Sequence, residues 1–155
     1  MALKSDRYEL QTDISFFYNA GTASRGGVVV HGTAGSGAAM DQGVNLVTYT
    51  AVTAASRPVG ILLNDVVNKD LTRTHLNQFK DEVQKGGKVT VLRKGYVVTN
   101  LLTGTVTAGD PAYACHVTAG NLRADSPGSS GTLMVGRFLS AKDEDGYAKV
   151  EVNLP

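Results

Sequence analysis

"GYVVTNLLTGTVTAGDPAYA", residues 95–114, reads as a strand, a connection marked by threonine and glycine, and a second strand. Its turn, Thr107-Ala108-Gly109-Asp110-Pro111, reverses the chain: Gly109 permits a positive φ and Pro111 fixes the residue that follows. The stretch holds no evident nucleophile, metal ligand or phosphate cradle, so it is scaffold. What surrounds it follows the same grammar. Further strands are predicted over residues 28–31, 44–53, 59–63, 88–93, 96–102, 112–118, 132–139 and 147–154. The last is the plainest: Ala148, Val150, Val152 and Leu154 alternate with Lys149, Glu151 and Asn153, one face buried and one wet.

Composition agrees. The 155 residues include 18 glycines and no tryptophan, and valine and threonine are abundant, which suits short strands and frequent turns. One domain of this length buries enough surface to fold without a disulfide or metal. Cys115 is the single cysteine, so no intramolecular disulfide forms. A net charge of +1 gives no argument for nucleic acid or an anionic membrane, and the scattered Lys and Arg form no basic patch. No apolar run is long enough for a membrane helix. Residues 1–7 lack the apolar region of a signal peptide, and synthesis in the cytosol is expected.

Residues 8–18 alternate with period two. Tyr8, Leu10, Thr12, Ile14, Phe16 and Tyr18 fall on one face; Glu9, Gln11, Asp13, Ser15 and Phe17 fall on the other. Two readings stand: a first strand packed on its own domain, or an arm laid on a neighbouring molecule by strand addition. The glycine-rich residues 21–27 read as a hinge. The expected organisation is an arm and hinge over residues 1–25 and a β body over 26–155.

"DLTRTHLNQFKDEVQK", residues 70–85, departs from the β pattern. Leu76, Phe79 and Val83 recur at helical spacing, Thr72 or Thr74 can cap the start, and Gly86-Gly87 stops the run. A short amphipathic helix is predicted near 72–85, its apolar face covering an open end or edge of the sheet or, alternatively, binding a partner helix. An internal echo links "PVGILLND", residues 58–65, with "MVGRFLSA", residues 134–141, each followed by an alternating strand. The expected fold is therefore mainly β: a small barrel or sandwich with one inserted helix and an extended N-terminal arm.

The search for chemistry returns little. The glycine-rich residues 31–40 lack the Lys-Ser/Thr that a phosphate loop requires. "PGSSGT", residues 127–132, places Ser130 after His31 and Asp65 or Asp70, the chain order of a chymotrypsin-like protease; a Gly-Ser loop between strands explains it equally well. Cys115 and His116 are neighbours in an expected strand and point to opposite faces. His31, His75 and His116 lack metal-ligand spacing. Asp143, Glu144 and Asp145 before Gly146 read as a solvated hairpin turn. No catalytic, cofactor or metal site is assigned.

"RPVGILLNDV", "GKVTVLRKGYVVTN", "VTAGDPAYA" and "GTLMVGRFLSAKDEDGYAKVEVNLP" together resemble the small decoration, or cement, proteins of tailed-bacteriophage capsids. The resemblance spans about residues 43–155, and the expected helix looks like an insertion beside simpler members. It implies a non-catalytic virion protein on the outer capsid surface, bound between capsomers to the major capsid protein and self-associating, a trimer being favoured. Tyr8, Leu10, Ile14, Phe16, Phe17 and Tyr18 would then contact the capsid or a neighbouring subunit. The alternatives are another virion component, such as a head fibre, tail or receptor-binding module, and a small serine hydrolase using Ser130 and His31.

Overall fold

The structure, a computed structural model, describes residues 2–18, 21, 23–32, 46–53, 56–65, 82–83, 88–125 and 134–155. The strands are β1 (Tyr8–Asp13), β2 (Phe17–Tyr18), β3 (Ala23–Ser24), β4 (Val28–His31), β5 (Leu46–Thr48), β6 (Pro58–Asp65) and β7 (Glu82–Val83). They continue with β8 (Val89–Thr99), β9 (Leu102–Thr103), β10 (Pro111–Ala114), β11 (Leu122–Arg123), β12 (Met134–Phe138) and β13 (Ala148–Asn153). The fold is mainly β, and no helix occurs among the described residues.

Eleven strands form one sheet in the order β2-β5-β4-β6-β8-β13-β12-β10-β11-β9, with β1 paired separately to β8. Its regular pairings leave it open. A single bridge, Phe17 to Lys88, also brings β2 against the start of β8. The two echoing sequence units are antiparallel neighbours, β6 with β8 and β12 with β13, and they join through the β8–β13 pair.

β8 is the spine. Its first residues pair with β6, through Leu92–Ile61 and Val91–Leu62; its later ones pair with β13, through Tyr96–Glu151 and Val97–Val150. The sequence suggests two strands broken near Gly95. The chain instead continues as one strand, with Gly95 at φ +140°, a conformation L side chains rarely adopt.

Two apolar clusters flank the central strands. One gathers Val28, Val30, Ile61, Leu92, Phe138 and Val150; the other gathers Phe16, Tyr18, Val29, Val47, Leu62 and Val91. Strands β4 and β6 are therefore buried on both faces, which is why they read as continuous apolar runs while β13 alternates. Bulges at Val29/Val30 and Leu62/Asn64 let β6 serve both clusters.

Elsewhere the expectations meet local corrections. Residues 70–81 and 84–85 of the expected helix lie outside the described residues. Its Glu82–Val83 are not helical: they pair antiparallel with β3, and Val83 is buried in the second cluster. Val83 fits the helical spacing, yet it is β-branched and suits a strand equally well. The strand expected over 112–118 ends at Ala114. There the buried Cys115 Sγ accepts the amides of Val117 and Thr118, each at 3.4 Å, and turns the chain. The Thr107–Pro111 turn forms as read: Gly109 has φ +94°, and Asp110 Oδ2 accepts the Thr107 amide at 2.9 Å. At the acidic hairpin, Asp143 Oδ1 accepts the amides of Asp145 and Tyr147, and Gly146 takes φ +83°.

Candidate docking face

The N-terminal segment runs antiparallel to β8 along nearly its whole length. Asn100 donates its amide to the Ala2 carbonyl, Leu3 bridges Thr99, and the Lys4 amide donates to Val98. β1 pairs from Tyr8–Tyr96 to Asp13–Val91, and the Val89 amide donates to the Phe16 carbonyl. Both ends are sunk in the body: Leu3 in the first cluster, Phe16 and Tyr18 in the second. The segment is thus a strap held at two points, and its middle is exposed.

The alternation read from the sequence does not survive the length of the strap. Register shifts occur between Glu9 and Thr12, and Asp13 Oδ1 accepts both the amide and the hydroxyl of Ser15. Burial raises the Asp13 pKa, but the Ser15 bonds and the Arg93 charge outweigh it and leave it below the usual value. The bulges and this turn divide the expected single face. Tyr8, Leu10 and Ile14 are 54%, 65% and 57% exposed, Phe17 is half-buried, and Phe16 and Tyr18 lie in the core. The Tyr18 hydroxyl donates to the Gly21 carbonyl, and burial, with Tyr49 nearby, pushes its pKa up to about 12. In the stretch read as a hinge, Gly26 and Gly27 are buried and bonded to both polar groups of the Leu62 backbone.

The outer surface beside the strap carries one lateral row. Tyr8 opposes Tyr96, Tyr96 opposes Glu151, and Glu151 opposes Arg137, so side chains from β1, β8, β13 and β12 stand together. Tyr8 and Tyr96 stack with ring centroids 5.9 Å apart, and Lys149 Nζ sits 3.8 Å from the Tyr96 ring centre. Between Tyr8, Leu10 and Leu139 lies a depression of about 570 Å³, lined by Gly95, which contributes no side chain. A smaller depression of about 180 Å³ shares Glu151 and Asn153 with it and reaches Met134 and Arg137. Leu139 and Met134 are exposed too. Such a groove can take apolar side chains from a partner; it holds no arrangement of base and nucleophile.

The residues weighed for catalysis do not assemble among the described residues. His31 is exposed, with its ring edge-on to Phe16 at 5.7 Å. Ser130, Asp70 and the side chain of Asp65 lie outside the described residues. Burial raises the Cys115 pKa, but the Thr118 and Val117 amides, Thr103 and the Arg123 charge bring it below the usual value. His116 is half-buried, with Nδ1 3.1 Å from Arg123 Nη1. Among the described residues no three His, Cys, Asp or Glu are grouped to hold a metal.

Of the six residues singled out from the sequence, Tyr8, Leu10 and Ile14 are exposed on the strap, while Lys94, Tyr96, Met134, Arg137 and Leu139, which line or flank the depressions, were not singled out. The wet positions of β13 were visible in its alternation; the strands that stand beside them were not, because pairing joins residues far apart in sequence. Compared with known families, residues 6–153 match the phage family described as structural cement protein (E217 gp24/Pam3 gp6). No curated protein matches the chain.

Proposed function

The chain belongs to the phage structural cement proteins, virion components that stabilise the capsid, and from that premise we propose that its strap and the adjoining sheet face are what grip the shell. Tyr8, Leu10 and Ile14 make the contact. Phe16 and Tyr18, and the half-buried Phe17, act indirectly by fixing the strap on its own body. The observation that carries this reading is the pairing of exposed large apolar side chains with a strand whose ends are buried. Aromatic and aliphatic groups held rigidly in this way lose little entropy on docking and concentrate binding energy.

The body sits on the outer surface where coat subunits meet, and the major capsid protein is its partner. It acts as a small cluster of copies, a trimer by preference, so that several weak contacts are made at once. Its stiffness comes from the two-sided burial of β4 and β6.

The test uses undecorated heads. The wild-type protein should bind them and raise the temperature at which they release DNA. Tyr8→Ser combined with Leu10→Ser should lose both effects while remaining folded, because both side chains point to solvent. Full binding and full protection by that variant would remove the strap from the mechanism.

A further inference from the structure

On the reading that this face grips the coat, its chemistry narrows what the coat presents. The two depressions adjoin at Glu151 and Asn153, and together they make a groove that spans β1, β8, β13 and β12. Three strand spacings of roughly 4.8 Å make it about 14 Å long, which an extended chain rising about 3.3 Å per residue crosses in about four residues. Each end is apolar: Tyr8 and Leu10 at one, Met134 at the other. Between them the charges do not balance. Lys94 and Arg137 line the groove against Glu151 alone, and neither cation makes an ion pair among the described residues. Lys149, by contrast, is engaged by Asp6 at 3.9 Å and by the Tyr96 ring.

We propose that the groove takes an extended coat-protein segment with two apolar anchors about four residues apart and a carboxylate between them, which reaches Lys94 and Arg137. One anchor seats over Gly95, which lines the larger depression between Tyr8, Leu10 and Leu139. The carboxylate supplies the missing negative charge. The apolar ends give affinity, and the charges give orientation and salt dependence.

The experiment measures co-sedimentation of the full-length protein with undecorated heads across a salt series. Three variants are compared with wild type: Lys94→Glu with Arg137→Glu, Leu10→Ser, and Arg57→Glu as a charge-reversal control away from the groove. The expected result is a loss of at least about tenfold for the double reversal, with a flattened salt dependence, and no change for Arg57→Glu. A loss with Leu10→Ser but none with the double reversal would overturn the acidic segment while leaving the strap reading intact. Unchanged binding by both groove variants would overturn the groove as a docking site. Loss of self-association instead of head binding, read by analytical ultracentrifugation, would assign the groove to a second copy and likewise overturn the proposal.

Discussion

The carbonyl oxygen of Tyr8 lies against the bare Cα of Gly95, so close that a Cβ built there would overlap it. The strap can lie flat on β8 only because residue 95 has no side chain. Gly95 also occupies a positive φ and pairs with Val152, so one glycine joins strap, spine and β13.

Gly95→Ala is therefore expected to lift the strap and to destabilise the fold by about 2 kcal/mol, through overpacking added to backbone strain. Gly109→Ala is the matched comparison. It shares the positive φ but meets nothing within 4 Å, so strain alone applies, about 1 kcal/mol. Denaturant unfolding of the two variants, with hydrogen exchange at residues 8–13, separates overlap from strain.

Thr99 is a buried polar side chain that serves two backbone groups. Its hydroxyl donates to the Gly26 carbonyl and accepts the Leu101 amide, both at 3.2 Å. Thr99→Val keeps the shape and leaves both groups without this partner. A loss of about 1–3 kcal/mol is expected in thermal or denaturant unfolding.

Tyr18 gives the fold an alkaline limit. Its folded pKa is raised to about 12 from 10.0, so its contribution is full below pH 10 and is lost as pH rises towards 12. Tyr18→Phe should lower stability at neutral pH, because the bond to Gly21 goes, yet flatten the decline between pH 10 and 12. Unfolding midpoints taken across that window check the sign.

Cys115 combines a lowered pKa with burial. Access should decide its reactivity: a thiol reagent is expected to label it slowly in the native protein and quickly after denaturation. Cys115→Ala removes the acceptor of the Val117 and Thr118 amides and should cost about 1–2 kcal/mol.

Local chemistry made the turns and most strands legible from the sequence. Gly109 with Asp110, and Asp143 with Gly146, form the reversals their residue types demand. Val28–His31 appears within its predicted bounds because three consecutive valines suit a strand buried on both faces. The strap was harder to read. Tyr8 and Tyr18 share a parity, yet one is exposed and the other buried, since bulges and the Ser15 turn reset the pleat between them. Strand alternation fixes facing only while the register holds. The groove was hidden for a different reason. Tyr96 meets Tyr8 and Glu151 through pairings that no local pattern encodes.

The burial of Leu3, Phe16 and Tyr18 also changes what a truncation would mean. Removing residues 1–19 would take away parts of both apolar clusters, and losing a buried aromatic alone costs about 3–5 kcal/mol. Such a truncation is expected to unfold the body rather than leave it intact and unable to bind, and circular dichroism with a thermal melt would show it. Point changes at Tyr8 and Leu10 are the cleaner probe.

Electron cryomicroscopy of decorated heads tests the mode of attachment most directly. The expected map places this protein on the outer shell where coat subunits meet, with Tyr8, Leu10 and the Tyr96 row turned against coat density. A map in which that face is open to solvent, and a different surface of the body touches the shell, would contradict it.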